Sequence, residues 1–189
     1  MNKIRICACL LASLVFFSSG APASSEDNQA KQASQTLEIT HVKIVLKGDF
    51  EKAHHYLLNY FLPYDPNLSK ILAEGNAAKV AAARNKQSKL YLFLTRDHGR
   101  LVTVDRQKAK AIQFEVGSQI VAETMTRHQI AAALYAPLRF VLYEDAHGKA
   151  VIEYDLPSSL FAQYGDPNVT AVGKELDAKL GDAFRELEN

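Results

Sequence analysis

Asp97 and His98 place a carboxylate beside an imidazole at the end of the segment LFLTRDHG. A turn that follows a strand can present such a pair to a substrate, with the imidazole as a base or a ligand contact. Adjacent residues at a strand end point in different directions, and a solvated turn explains the same two residues without any chemistry. The pair is therefore a candidate ligand-binding tip, and we assign no catalytic residue.

A second set of candidates surrounds a proline loop. Arg127 and Arg139 flank Pro137, and three tyrosines lie within reach of the same region of the chain: Tyr135, Tyr143 and Tyr154. Guanidinium and phenol groups together suit an anionic or aromatic ligand, although arginine stems also pack over apolar surface while their charged ends stay hydrated. The ligand-binding candidates in this region are Arg139, Tyr143 and Tyr154.

Residues 140 to 155, FVLYEDAHGKAVIEYD, are typical of a β-hairpin. His147 and Gly148 suit a two-residue turn, because glycine adopts a positive φ at little steric cost. This turn predicts that Tyr143 pairs with Ile152 on the face that the core covers. The other face would carry three carboxylates, Glu144, Glu153 and Asp155. Such carboxylates can hold a cation or share a proton, but the solvated face of an antiparallel sheet usually carries charges of this kind.

The sequence lacks the other common patterns of a chemical site. Its histidines show neither HExxH nor HxxxH spacing, and His54 and His55 are neighbours in a predicted helix, facing about 100° apart. Ser158 and Ser159 lack a Gly-x-Ser-x-Gly elbow and suit a helix cap. The glycines are scattered singly and form no phosphate loop. We therefore predict no metal and no cofactor.

Residues 1–23 have the features of a secretory signal peptide: two basic residues, an apolar run and then small residues. The apolar run is shorter than the ~20 residues that a membrane-spanning helix needs. We expect cleavage after Ala23 and a periplasmic or secreted product without a membrane span. Residues 24–36 contain no large apolar side chain and are predicted to be a disordered leader, followed by a single domain over 37–189.

Removal of the signal peptide changes both the thiol content and the charge. Cys7 and Cys9 lie within it, so the mature chain has no cysteine for a disulfide, a nucleophile or a metal ligand. Loss of Lys3 and Arg5 leaves 20 basic residues against 21 acidic ones. A near-neutral surface lacks the basic excess that binding to phosphates requires, so nucleic acid is not an expected partner.

Hydrophobic periodicity predicts strands and helices in alternation. Strands are expected in LEITHVKIVL, KLYLFLT and AKAIQFEV and in the two arms of the hairpin. One helix should begin after Asp49, a second should open near Pro66, and a third should start near Gly117. The last helix is the clearest, because Asp166 caps it and one apolar stripe follows a 3.6-residue period. That stripe comprises Val169, Val172, Leu176, Leu180, Phe184 and Leu187.

The segment LYAPLRFVLYEDAHGKAVIEYDLPSSLFAQYGDPNV resembles the C-terminal half of the DUF302 domain family. LFLTRDHG is similar to the family's DH turn, and FEVGSQIVAETMTRH to a segment in which Ser118 and Gln119 stand where the family commonly has Asn and Pro. The resemblance covers roughly residues 38 to 185. It implies an α+β fold with a single antiparallel sheet and helices packed on it, often as a dimer, and it implies no reaction.

These observations favour an exported, non-enzymatic module that binds a small molecule or a partner protein through the loop end of its sheet. One alternative is a hydrolase-like or isomerase-like enzyme that uses His98 with a carboxylate. Another is a structural dimerisation domain that forms a homodimer.

Overall fold

Six strands form one sheet in the computed structural model, which describes residues 32–87, 89–102 and 109–188. The strands are β1 (His41–Val45), β2 (Leu62–Pro63), β3 (Tyr91–Asp97), β4 (Ala111–Gly117), β5 (Leu138–Glu144) and β6 (Ala150–Asp155). They lie in the order β1, β6, β5, β4, β3, β2. All neighbouring pairs are antiparallel except the short contact between β2 and β3, which is parallel. The predicted α+β class with a single sheet and helices packed on it is confirmed; the sheet was predicted to be antiparallel and is mostly so.

Helices occupy most of the connections between the strands. They are α1 (Phe50–Tyr60), α2 (Asn67–Ala73), α3 (Ala77–Lys86), α4 (His98–Leu101), α5 (Gln119–Thr126), α6 (Pro157–Phe161) and α7 (Pro167–Glu188). Two short 3₁₀ segments, Ile130–Tyr135 and Ala162–Tyr164, follow α5 and α6. Among the described residues, no helix is both long and apolar enough to cross a membrane. The predicted signal peptide and most of the predicted leader lie outside the described residues.

Side-chain caps fix where several helices begin. The Asp49 carboxylate accepts a hydrogen bond from the Lys52 backbone N–H at 2.9 Å, as the sequence predicted for the start of α1. Asn76 does the same for α3, where its side chain accepts from the Lys79 N–H at 3.1 Å. Asp166 accepts from the Val169 N–H at 3.3 Å. These bonds satisfy N–H groups of the first turn that have no partner within the helix.

An aromatic cluster between the sheet and two helices forms the centre of the core. Phe114 and Phe140 stack across β4 and β5 with ring centroids 4.7 Å apart. Phe184 of α7 contacts Phe140 edge to face at 5.1 Å, and Phe61 follows the end of α1 and lies 5.9 Å from Phe140. Since the predicted stripe of α7 is buried up to Phe184 and Leu187 is half-buried, the expectation that this helix lies on the sheet is confirmed.

The predicted register of the hairpin is wrong by one residue. Asp145 donates its backbone N–H to the Lys149 carbonyl at 2.8 Å, which leaves a loop of three residues, with Gly148 at a φ of 73°. Tyr143 therefore pairs with Val151, whereas the two-residue turn predicted Ile152. Three-residue hairpin loops often end on a glycine with positive φ, and a shift of one residue exchanges the two faces of a strand.

The corrected register redistributes the β5 side chains. Phe140 and Leu142 face the core, and Arg139, Val141 and Tyr143 lie on the other face of the sheet. We call this second face the polar face; it also carries His41, Lys43, Gln113, Glu115, Glu153 and Asp155. Glu144 is on the core side, so the three hairpin carboxylates do not form one cluster.

Candidate ligand-binding site

The two ends of the sheet differ in what they carry. Because the strands are antiparallel, β4 ends and β5 begins at the same end, and there β6 ends and β1 begins as well. We call this the loop end. The opposite, hairpin end carries the Asp145–Lys149 loop and the start of α4.

Gly117 and Ser118 form a tight junction between β4 and α5 at the loop end. A Cβ atom at Gly117 would lie 3.1 Å from the Phe93 ring, so this position has little room for a larger side chain. The buried Ser118 hydroxyl accepts a hydrogen bond from the Val121 N–H at 3.3 Å and donates to Gln87 Oε1 at 2.6 Å. These contacts fix the first turn of α5 against Gln87, the residue that follows α3.

The first cavity at the loop end, which we call the apolar pocket, has a volume of about 260 Å³. Its walls include Phe93, Val121, Met125, Tyr135, Pro137 and Leu138. Cavities of about 150 Å³ lined by apolar side chains already hold a molecule the size of benzene. The apolar pocket is therefore large enough for a small apolar ligand or for one part of a larger one.

A second cavity, the polar groove, has a volume of about 270 Å³ and adjoins the first. Its polar wall contains His41, Gln113, Arg139, Glu153 and Asp155, and its apolar wall includes Tyr154, Leu160 and Leu180. Tyr135, Pro137 and Leu138 line both cavities and so form the wall between them. The Tyr135 hydroxyl accepts a hydrogen bond from Gln163 Nε2 at 2.8 Å, which holds this wall to the segment after α6.

His41 bridges two carboxylates at the rim of the polar groove. Its Nδ1 atom lies 2.8 Å from Asp155 Oδ1, and its Nε2 atom lies 3.3 Å from Glu153 Oε2. Hydrogen bonds to Asp155 first and to Glu153 second raise the pKa of His41 above its ordinary value. The imidazole therefore keeps its proton to a higher pH and ties the first residue of β1 to β6.

Glu153 is the most strongly perturbed carboxyl group on the polar face. The Tyr143 hydroxyl donates to Glu153 Oε1 at 2.6 Å, and Lys43 Nζ lies 3.0 Å from the same oxygen. These two contacts, with the Tyr143 bond the larger cause, lower the pKa of Glu153 to about 2. Lys43 also donates to the Tyr143 oxygen at 3.1 Å, and its own pKa is raised, chiefly by this bond and by Glu153. The Glu153 carboxyl group therefore stays ionised across neutral pH and is not a general acid at that pH.

The five ligand-binding candidates from the sequence do not line one pocket. Arg139 and Tyr154 both line the polar groove, but Tyr154 is mostly buried against Phe184 at a centroid distance of 5.3 Å. Tyr143 lies toward the hairpin end, since it pairs with Ala111, and touches the groove only through Glu153.

Asp97 and His98 lie at the hairpin end, away from both cavities. Asp97 pairs with Ile112, five residues before the loop-end residue Gly117. Its carboxylate accepts the Arg100 N–H at 3.0 Å and caps α4, which is a structural use of the group. His98 is exposed in the first position of that short helix. Along β4, Asp97 pairs with Ile112 and Arg139 pairs with Glu115, so Asp97 lies three residues nearer the hairpin end than Arg139, and neither Asp97 nor His98 lines either cavity.

Sequence reasoning named Tyr135 and Pro137 but missed the other residues of the apolar pocket and the bridging role of His41. Phe93 and Met125 were treated only as core positions of a strand and a helix, and a cavity between such elements leaves no local pattern. His41 was read as an alternating strand residue. The one available signal was its strand position: as the first residue of a strand paired with β6, it would face Asp155.

Among the described residues, no group of three or more His, Asp or Glu side chains is arranged to hold a metal ion.

Arg127 lines neither cavity and instead forms a bidentate ion pair with Glu123. Its Nε atom lies 2.9 Å from Glu123 Oε1, and its Nη2 atom lies 2.5 Å from Glu123 Oε2. Arg139 is thus the arginine of the predicted pair that remains at the site.

These features define the protein as an α+β domain. It has one six-stranded sheet and two adjoining cavities at the loop end of that sheet. A family model described as "Domain of unknown function DUF302" matches residues 75–187. The chain belongs to this family, as its hairpin and proline loop indicated.

A solved structure supports the same fold. The crystal structure of an uncharacterised conserved DUF302 protein from Bacillus stearothermophilus aligns with a TM-score of 0.57 at 11% sequence identity. The alignment covers 78% of this chain and 97% of that chain. At this identity the likeness concerns the fold alone. No curated protein matches the chain.

Proposed function

We propose that the chain is an exported, non-enzymatic binding module that holds a small molecule at the loop end of its sheet. The observation that carries the proposal is the apolar pocket of about 260 Å³, whose wall is shared with the polar groove. Concave, mostly apolar sites with a few polar groups at one side are the usual form of small-molecule sites in proteins.

The arrangement of titratable groups favours binding over catalysis. The Glu153 carboxylate is held ionised by Tyr143 and Lys43, so it is a poor proton donor near neutral pH. The Asp97 carboxylate caps α4, and His98 lies outside both cavities. An enzyme built on His98 would need a substrate site at the hairpin end, where neither of the two cavities described above lies.

A variant that fills the pocket tests the proposal. Ala122 lines the apolar pocket from α5, and the substitution Ala122→Phe should fill part of its volume. In two-dimensional ¹H–¹⁵N NMR spectra, we expect octanol to shift the amide signals of Gly117, Val121 and Met125 in the unsubstituted protein. Octanol should also raise the melting temperature, because a ligand that binds only the folded state stabilises it. Both effects should disappear in Ala122→Phe.

A matched control separates filling of the pocket from a general effect of an added ring. Ala178 is an exposed residue of α7 that lines neither cavity, so Ala178→Phe should leave the octanol response unchanged. If octanol shifts amide signals scattered over the surface, or if Ala122→Phe binds octanol as well as the unsubstituted protein, the ligand does not enter the apolar pocket and the proposal is wrong.

A further inference from the structure

The polar groove holds a cation that has no ionic partner among the described residues. Arg139 lies on the polar face and lines the groove directly beside the wall that it shares with the apolar pocket. Within the described part of the chain, its guanidinium forms no ion pair, in contrast to Arg84, Arg96 and Arg127. Its positive charge is therefore available to a bound molecule.

The carboxylates nearest to Arg139 along the sheet already have other basic side chains as partners. Glu115 pairs with Arg139 across β4 and β5, but its side chain forms an ion pair with Arg96. Asp155 contacts His41 at 2.8 Å, and Glu153 contacts Lys43 at 3.0 Å. Because each carboxylate has its own partner, Arg139 is the group with which an incoming anion would pair.

We propose that the two cavities form one site for an amphiphilic monocarboxylate, whose apolar chain enters the apolar pocket while its carboxylate pairs with Arg139. This proposal rests on the proposed function and adds the chemical class of the ligand. A guanidinium presents two parallel N–H donors that match the geometry of a carboxylate. The ligand must pass over the wall formed by Tyr135, Pro137 and Leu138, which both cavities share.

The charge of the groove favours a singly charged head group. Glu153 and Asp155 line the groove beside Arg139, which has no ionic partner among the described residues. A multiply charged phosphate would meet these carboxylates with more negative charge than Arg139 balances, and like charges at short range oppose binding. A single carboxylate needs only the one guanidinium.

Three probes with the same apolar chain test the charge of the head group: octanoate, octanol and octylamine. Their dissociation constants are measured by calorimetry on the purified protein near neutral pH and at low salt. We expect octanoate to bind about tenfold more tightly than octanol, because a charge-assisted hydrogen bond adds to the same apolar contact. Octylamine should bind more weakly than octanol, since its ammonium group lies beside Arg139.

Two arginine variants locate the head group. In Arg139→Gln, octanoate should lose its advantage over octanol, while octanol binding stays unchanged. Arg127→Gln is the control, because Arg127 is also exposed but pairs with Glu123 outside both cavities. This control should bind all three probes as the unsubstituted protein does.

The outcomes distinguish the two proposals. If none of the three probes binds, both the proposed function and the ligand class are wrong. If octanol binds in the apolar pocket but octanoate binds no better, or if Arg139→Gln keeps the preference for octanoate, only the ligand class is wrong. Tightest binding by octylamine would likewise overturn the ligand class, since it would show that the carboxylates dominate the groove.

Discussion

The Tyr143 hydroxyl is the largest cause of the low pKa of Glu153, and this can be measured directly. In Tyr143→Phe the 2.6 Å hydrogen bond to Glu153 is lost, while Lys43 and His41 remain beside the carboxylate. We expect the pKa of Glu153 to rise from about 2 toward its ordinary value, because the charged form loses its strongest partner. A ¹³C NMR titration of the side-chain carboxyl groups measures the change.

A second tyrosine provides the control for this titration. The Tyr164 hydroxyl donates to the Ala131 carbonyl at 2.9 Å and has no contact with Glu153. Tyr164→Phe should therefore leave the Glu153 titration where it is in the unsubstituted protein. If Tyr143→Phe also leaves it unchanged, the hydroxyl does not stabilise the carboxylate.

His41 should make the stability of the protein depend on pH. Asp155 and Glu153 raise its pKa in the folded state, and Lys43 is the nearest cation on the same strand. A raised pKa of a base contributes stability that is fully present below the unfolded value of about 6.5 and is lost as the pH rises through the folded value. We therefore expect His41→Asn to lower the melting temperature at about pH 5 and to have a much smaller effect at about pH 9.

The comparison of pH values is itself the control for His41→Asn. A loss of packing would lower the melting temperature equally at both pH values. The side chain of His41 is 55% exposed and makes its contacts mainly through charge, so we expect the dependence on pH to dominate. Circular dichroism melts at a series of pH values provide the measurement. An effect that grows with rising pH would contradict the bridge between β1 and β6.

At the scale of the elements, substitution of two glycines of α7 by alanine should change the stability in opposite directions. A Cβ atom at Gly173 would lie 2.7 Å from Ser158 Cα, because α6 crosses α7 at this point. A Cβ at Gly181 would meet nothing within 4 Å. We expect Gly173→Ala to lower the free energy of unfolding by about 1 to 3 kcal/mol, since backbone atoms of α6 must move.

Gly181→Ala is the matched variant on the same helix. Replacing glycine by alanine in a helix interior stabilises it by up to about 1 kcal/mol where no atom is in the way. Urea unfolding of both variants gives the two differences in free energy. Equal effects of the two substitutions would mean that α6 and α7 are not in close contact at Gly173.

Elements whose residues follow a regular period were predictable from the sequence. The α7 stripe and the caps Asp49 and Asp166 depend on neighbours within one or two turns, so the chain itself contains the information. The register of the hairpin was not predictable in the same way. Gly148 is compatible with a loop of two or of three residues, and the structure has three.

At the scale of the whole molecule, the site depends on how distant segments meet. Arg139 and Tyr154 were predicted to belong together, and the antiparallel pairing of β5 with β6 brings both to the polar groove. Asp97 and His98 were predicted as a separate ligand-binding tip because they follow a strand. The direction of β3 against β4 decides at which end that turn lies, and no local sequence pattern records this direction.

The apolar pocket has the same dependence on tertiary packing. Phe93, Met125 and Tyr135 come from a strand, a helix and a 3₁₀ segment, and each is an ordinary apolar or aromatic residue in its own element. The space between them exists only after α5 and the proline loop pack at the loop end. Sequence reasoning therefore indicated the loop end of the sheet, where the two cavities lie, but could not describe the cavities themselves.

A crystal structure with octanoate that carries a bromine atom on its terminal carbon tests the site most directly. Anomalous scattering locates the bromine without reference to the shape of the density. We predict a bromine peak inside the apolar pocket, between Phe93 and Met125, with the carboxylate at Arg139. A peak elsewhere on the protein, or a bromine at Arg139 with the carboxylate in the apolar pocket, would contradict a loop-end site that holds the apolar part of its ligand.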